Sequence, residues 1–199
     1  MGLIVPIGRW VLAEACRQLA VWQAAHPQAA AGLTMAVNLS ARQFANPGVA
    51  DWVADALRRS GIARGTLKIE ITESVILELT AEVSETMRRL GELGVQLYLD
   101  DFGTGYSSLS YLHRIPLDAL KIDRSFVGPD AGAESPHLVR TIVAMAQALG
   151  VAVVTEGVER EDTLRELRRL GCQYAQGYYF AHPLDEAATL DLLAADPRW

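Results

Sequence analysis

Acidic residues stand at the ends of several short apolar stretches of this sequence. Asp100 and Asp101 close one such stretch, Glu70 lies near the end of another, and Glu156 closes a third. Carboxylates that share a dry pocket repel one another unless a cation or a proton offsets their charge. Their oxygens suit Mg²⁺ or Mn²⁺ better than zinc. The pattern favours a metal site over its alternative, a solvated Asp100-Asp101 pair that caps the next helix.

Lys121 lies inside the apolar stretch Ala119–Asp123. A buried ammonium needs an anionic partner, so this lysine has a specific task. It holds a substrate phosphate or helps to deprotonate a water beside the carboxylates, or it pairs with Asp123, which shares its face. The sequence favours the catalytic interpretation over the structural pair.

Two further strand-end residues complete the candidate constellation. Strand alternation places Glu70 on the face opposite Ile69 and Ile71, so it faces the pocket unless it pairs with a helix cation outside. Asn38 is a neutral oxygen ligand or a donor to a phosphate, although Asn is also a common turn former. Glu73 falls just past its strand and braces a loop or binds a ligand.

The elements that must position these residues alternate between β and α. Strands are predicted at the following ranges: 34–39, 67–72, 96–101, 119–123, 151–156 and 174–179. Helices are predicted at 7–25, 49–60, 80–93, 107–114, 137–149, 161–170 and 185–195. Such alternation predicts a parallel sheet covered by helices, either doubly wound or a (β/α)8 barrel. The barrel is favoured because no Gly-rich phosphate motif follows the first strand and because polar residues gather at carboxyl ends.

Composition excludes several classes of protein. The chain has 199 residues, a net charge of −6 and 50% hydrophobic residues, as expected of a folded globular chain. Its acidity argues against a DNA or RNA polymer as partner. We expect no membrane span within this chain and no secretory signal. Cys16 and Cys172 match no metal spacing, so we expect reduced core thiols and a cytoplasmic location.

Six motifs give the sequence a family resemblance over essentially its whole length. They are Asn38-Leu-Ser-Ala-Arg-Gln-Phe44, Glu70-Ile-Thr-Glu73, Asp100-Asp-Phe-Gly-Thr-Gly-Tyr-Ser-Ser-Leu109, Lys121-Ile-Asp-Arg-Ser-Phe-Val127, Glu156-Gly-Val-Glu159 and Gln176-Gly-Tyr178. In this order they resemble the motifs of EAL-type cyclic di-GMP (c-di-GMP) phosphodiesterases. The resemblance implies a (β/α)8 TIM-barrel-like fold that hydrolyses c-di-GMP to linear pGpG with two Mg²⁺ or Mn²⁺ ions.

The resemblance also implies roles for individual residues. The implied metal ligands are Asn38, Glu70, Asp100, Asp101 and Glu156. Lys121 would orient or activate the attacking water, Asp101 would serve the second metal, and Glu73 would hold the loop after Asp101. Gln176 and Asn38 would contact the substrate. The roles of Glu159 and Asp123 stay open, and Glu159 is alternatively a cap of the following helix.

The sequence departs from the family at its start. Family members begin with two further strands, and the second carries the Glu-Ala-Leu stretch whose glutamate is a metal ligand. We therefore expect residues 1–199 to form a single, incomplete barrel domain with about six of the eight β/α units. Three explanations account for the missing strands. The chain is a fragment of a longer protein, or it is a degenerate domain that binds without cleaving, or another chain supplies the strands. The intact site residues favour the first explanation.

Function and partners follow from the same resemblance. At family level the chain is expected to be an enzyme of c-di-GMP signalling. The alternative is a catalytically inactive c-di-GMP receptor or protein-interaction scaffold. A different metal-using barrel enzyme is disfavoured because no second Lys or His base stands at a strand end. The resemblance also implies a homodimer formed through the region around the 100–109 loop and the next helix, with sensor or cyclase domains outside this chain.

Overall fold

The computed structural model of the chain describes residues 2–77, 80–104, 112–127, 135–197 and 199. Within these ranges a parallel sheet has its strands in chain order. The strands are β1 (Met35–Asn38), β2 (Leu67–Thr72), β3 (Gln96–Phe102), β4 (Ala119–Ile122), β5 (Ala152–Thr155) and β6 (Tyr174–Ala175). The predicted alternation of parallel strands with helices is confirmed.

Within the described ranges, helices lie before, between and after the strands. They are α1 (Ile4–Ala25), α2 (Ala41–Phe44), α3 (Val49–Ser60), α4 (Glu73–Leu77), α5 (Ala81–Glu92), α6 (Ser135–Leu149), α7 (Glu161–Leu170) and α8 (Glu186–Ala195), with a 3₁₀ turn at Arg124–Phe126. The oxygen of Thr80 accepts from the Val83 amide at 3.3 Å and begins α5. Gly61 and Gly171 end α3 and α7 in the left-handed conformation that glycine adopts without strain. Among the residues that the structure describes, we find no helix with the length and hydropathy of a membrane span.

Several elements differ from their predicted bounds. The last strand is two residues long rather than six, because the chain turns at Gln176 and Gly177. The helices α2 and α4 and the 3₁₀ turn were not predicted, since segments of three to five residues are too short to show a helical period. The predicted helix 107–114 lies largely outside the described residues.

The chain divides into two compact units. The first comprises Met1–Leu97 and Asp185–Trp199. Here α1 packs on α3 and β1, and β1 pairs with β2 from Met35–Leu67 to Asn38–Glu70. Its fully buried side chains include Leu12, Cys16, Leu19, Leu67, Ile69 and Ile71. Burial raises the pKa of the Cys16 thiol to about 11, so this residue behaves as a small core hydrophobe.

The second unit comprises Tyr98–Leu184 and contains most of β3 and all of β4 to β6. α6 packs on β4 and β5, and Tyr98, Ala119 and Val154 form a buried cluster. Cys172 is half buried and free, and burial raises its pKa. Cys16 lies in the core as expected, whereas Cys172 is only half buried rather than a core residue.

Candidate functional site

Three carboxylates converge in the second unit. Asp100 and Asp101 belong to the end of β3, and Glu156 directly follows β5. One ligand oxygen of each lies within 4.8 Å of the others. An all-oxygen donor set of this kind suits a hard divalent cation. The structure thus brings together three of the residues that the sequence predicted as metal ligands.

A β-bulge at the end of β3 lets neighbouring residues meet at one place. Leu99 pairs with Leu120, but Phe102 pairs with Ile122. Between these two pairs, β3 therefore has one residue more than β4. Asp100 and Asp101 lie within this bulge, and Asp101 has a left-handed φ of 55°. Regular alternation would send Asp100 and Asp101 to opposite faces, so the bulge is what directs both carboxylates towards Glu156. The bulge was not predicted from the sequence, where its one signal is an Asp, a residue that tolerates this conformation, before Phe-Gly.

The loop after the bulge is held by its own hydrogen bonds. The Asp101 amide donates to Asp100 Oδ1 at 3.1 Å. Thr104 donates from both its amide and its hydroxyl to the Asp101 carbonyl, at 3.3 and 2.9 Å. These bonds offset part of the strain of a non-glycine residue at positive φ.

Lys121 is buried among these carboxylates, with 3% of its surface exposed. Its Nζ lies 2.9 Å from Asp100 Oδ1 and 2.7 Å from Glu156 Oε1. The ammonium therefore compensates two charges that would otherwise repel, as a buried lysine requires. The predicted proximity of Lys121 to the acidic residues is confirmed.

Asp123, the alternative partner of Lys121, has a local task. Its Oδ1 accepts from the Ser125 amide at 3.0 Å, which begins the 3₁₀ turn. Burial raises the pKa of Asp123, but hydrogen bonds from Ser125 and Arg124 outweigh it and hold the pKa below its ordinary value. The carboxylate is thus kept ionised by the turn that it caps.

Two glycines allow the segment that carries Glu156 to pack closely. Gly157 has a φ of 70°, and an added Cβ would lie 2.5 Å from the Arg124 Cβ. A Cβ on Gly177 would lie 2.1 Å from the Val158 carbonyl oxygen. The Val158 amide donates to the Gln176 carbonyl at 3.0 Å. Gln176 itself is exposed, and its backbone is hydrogen-bonded to Val158 and to Thr155 of β5.

The first unit brings together the other two predicted ligands. Asn38 and Glu70 are register partners at the ends of β1 and β2. Asn38 Nδ2 donates to Glu70 Oε2 at 3.2 Å. Glu70 is 7% exposed and Asn38 is exposed, so an amide at the surface covers a nearly buried carboxylate. The hydrogen bond leaves the Asn38 side-chain oxygen available as a neutral ligand.

Two further predicted residues take positions next to these. Glu73 is the first residue of α4, directly after β2. Glu159 is exposed, and α7 begins after Arg160, so Glu159 does not occupy the N-cap position. The role predicted for Glu73, to hold the loop after Asp101, stays a prediction. The role of Glu159 stays open.

Comparison with known proteins identifies the family. The EAL domain model matches residues 1–183. The chain is 42% identical over 195 residues to the cyclic di-GMP phosphodiesterase NbdA of Pseudomonas aeruginosa, covering 98% of this chain and 24% of that protein. The EAL domain of Mycobacterium smegmatis DcpA has a TM-score of 0.88 at 38% identity, covering 98% of this chain and 87% of that one.

A liganded structure is also similar. The MucR phosphodiesterase of Pseudomonas aeruginosa in complex with c-di-GMP has a TM-score of 0.87 at 42% identity, covering 94% of this chain and 75% of that one.

The fold and these likenesses define an α/β, TIM-barrel-like protein of the EAL class with an incomplete set of strands, as predicted. The chain belongs to the EAL domain family. It spans about a quarter of the length of the curated relatives that it matches.

Proposed function

We propose that this chain hydrolyses c-di-GMP to linear pGpG with the help of Mg²⁺ or Mn²⁺. One observation carries the proposal, the cluster of Asp100, Asp101 and Glu156 with the Lys121 ammonium inside it. The similarity to the c-di-GMP complex of MucR supports the substrate class.

The donor atoms fit divalent cations. They are carboxylate oxygens that lie close enough to share ions, and one buried ammonium offsets part of their charge. We propose Asn38, Glu70, Asp100, Asp101 and Glu156 as the residues that hold two ions. When bound, such ions stabilise charge on phosphoryl oxygens and lower the pKa of water.

The chain's own residues perform the remaining steps. Lys121, held between Asp100 and Glu156, orients the attacking water by donating to its oxygen. Water attacks one phosphodiester phosphorus, the bond from phosphorus to the 3′ oxygen breaks, and the proton that water loses balances the alkoxide that leaves. Asn38 and Gln176 contact the nucleotide, and Glu73 supports the loop after Asp101. We assign no step to Glu159 or Asp123.

Product formation tests the proposal directly. We expect the chain to convert c-di-GMP to pGpG in Mn²⁺, measured by chromatography, and Glu156→Gln to abolish conversion. Glu161→Gln is the matched control, because Glu161 lies at the exposed start of α7 and pairs with Arg165 at 2.6 Å. Conversion unaffected by Glu156→Gln would contradict the site. Tight nucleotide binding by the unmodified chain without any product would favour the alternative, a c-di-GMP receptor or scaffold.

We further propose that the protein acts in the cytoplasm as a homodimer and is joined to sensor or cyclase domains in a longer polypeptide. Two free cysteines suit a reducing compartment. The expected dimer region includes residues 105–111, which lie outside the described residues. Light scattering at micromolar concentration should give twice the mass of the chain, and a monodisperse monomer would refute the dimer.

A further inference from the structure

Gln43, a buried residue of α2, joins two elements of the first unit. It is 5% exposed. Its Oε1 accepts from the Ser40 amide at 2.8 Å and from the Ser40 hydroxyl at 2.7 Å. Its Nε2 donates to the Ile4 carbonyl, in the first turn of α1, at 2.9 Å. Both polar atoms of the Gln43 side chain therefore have partners, one at the N-cap of α2 and the other at the start of α1.

The segment fixed by Gln43 is the one that carries Asn38. Leu39 follows Asn38, and its amide donates to the Glu70 carbonyl at 2.9 Å. Ser40 comes next and begins α2 as a reciprocal capping box with Gln43. The backbone after Asn38 is thus held by β2 at one residue and by Gln43 at the next.

Gly8 of α1 leaves the space that this bridge needs. A Cβ on Gly8 would lie 1.9 Å from Gln43 Nε2, so no larger residue fits while the side chain keeps its place. Glycine is unfavourable inside a helix, and a buried helix position without a Cβ has a packing reason. Here the reason is the Gln43 amide.

We propose that Gln43 is a positioning residue that sets the orientation of Asn38 by tying the end of β1 to α1, an inference that rests on the proposed function of Asn38 as a ligand. Asn38 is exposed, and its side chain donates to Glu70, so its direction depends on that bond and on the backbone on either side. Partners of this kind tune metal affinity without touching the ion.

Three substitutions separate the two ends of the bridge. Gln43→Glu keeps an acceptor for Ser40, since Glu is a usual capping-box partner, but it loses the donor to Ile4. Gln43→Ala loses both ends. Gly8→Ala keeps Gln43 and displaces it. Ser40→Thr retains the N-cap oxygen and serves as the conservative variant. Gly91→Ala is the matched control, because Gly91 also lies in a helix of this unit and a Cβ there would meet nothing within 4 Å.

Two measurements read the outcome. The first is the ¹⁵N–¹H resonance of the Asn38 side-chain amide in metal-free protein, which reports its hydrogen bond to Glu70. The second is the affinity for Mn²⁺ alone by calorimetry. We expect Gln43→Ala, Gln43→Glu and Gly8→Ala to shift the Asn38 resonance and to weaken Mn²⁺ binding about tenfold. Ser40→Thr and Gly91→Ala should leave both unchanged.

The results distinguish this inference from the proposed function. An unshifted Asn38 resonance in folded Gln43→Ala and Gly8→Ala protein would overturn the positioning role. A shift in Gln43→Ala without one in Gln43→Glu would overturn the link to α1. If the unmodified chain binds no Mn²⁺, the proposed metal site fails, and the Asn38 resonance still decides whether Gln43 positions that residue.

Discussion

Two regions of this molecule place candidate ligands at strand ends, and they do so by different means. The amide edge, formed by Asn38 and Glu70, uses strands in regular register, and a neutral hydrogen bond joins its members. The carboxylate edge, formed by Asp100, Asp101, Lys121 and Glu156, uses a bulge, a buried ammonium and close glycine contacts. Regular pairing suffices where only one ligand per strand is needed. Gathering three carboxylates requires an irregular backbone and a compensating charge.

The energetic consequence is that the carboxylate edge is the more costly to perturb. All its members are charged, and Asp100 and Lys121 are buried with Glu156 half buried beside them, so these three depend on one another for compensation. The amide edge contains one charge and an exposed neutral partner, so the loss of that partner exposes less uncompensated charge. Substitutions at the two edges therefore test this difference.

The largest expected effect is that of Lys121→Met. It leaves Asp100 and Glu156 without their shared ammonium, and breaking a buried ion pair from one side costs about 3–5 kcal/mol. We expect urea denaturation to show this loss and pGpG formation to fall by roughly 10²-fold or more. Lys68→Met, on β2 of the first unit, is the matched control and should cost about 1 kcal/mol or less, because Lys68 is only half buried. Equal losses would contradict the comparison.

Gly177→Ala comes next. The added methyl would meet the backbone of Val158 rather than a flexible side chain, so the segments holding Glu156 and Gln176 must separate. We expect a loss of about 3 kcal/mol in the free energy of unfolding, measured by thermal denaturation, together with weaker Mn²⁺ binding. Gly91→Ala, in open space on α5, should be neutral or stabilising. A Gly177→Ala protein of ordinary stability would show that this contact is not tight.

Asn38→Ala should have a smaller effect on stability. It removes one hydrogen bond to Glu70 from an exposed residue, so we expect a loss of about 1 kcal/mol. Turnover should nevertheless fall roughly 10- to 100-fold if Asn38 is a ligand. Parallel chemical denaturation and product assays separate the two effects. Unchanged turnover would leave Asn38 as a structural cap of Glu70 only.

Asp101→Gly should change stability about as little as Asn38→Ala does, but with the opposite sign. Glycine relieves the left-handed strain at φ 55° and removes one of three neighbouring carboxylates, a gain of about 1 kcal/mol. Activity should be lost with that ligand. Asp196→Gly is the matched control, because Asp196 ends α8 at a φ of 41° in the first unit and should be stabilised without loss of turnover. Destabilisation of Asp101→Gly would show that this carboxylate contributes to folding.

Elements were predicted correctly from the sequence where the apolar pattern continues over many residues or where a residue type requires a particular partner. The β2 range was predicted as observed, and α3 and α7 matched residue for residue, because their apolar spacing and their terminal Gly61 and Gly171 are all encoded locally. The meeting of Lys121 with acidic residues was predicted because a lysine inside an apolar strand requires an anionic partner. The short helices α2 and α4 were not predicted, because they contain too few residues to show a helical pattern of apolar positions.

By itself, the sequence determined which side chains stand at strand ends, because alternation and the parallel β/α order follow from local patterns of apolar residues. Tertiary structure alone decided how those side chains meet. The bulge at Asp101 depends on the register between β3 and β4. Lys121 pairs with Asp100 and Glu156 because β3 and β5, the strands beside β4, bring these carboxylates to it. The Gln43 bridge joins residues 39 positions apart. Contacts between distant segments are set by packing and backbone geometry, which no local pattern records.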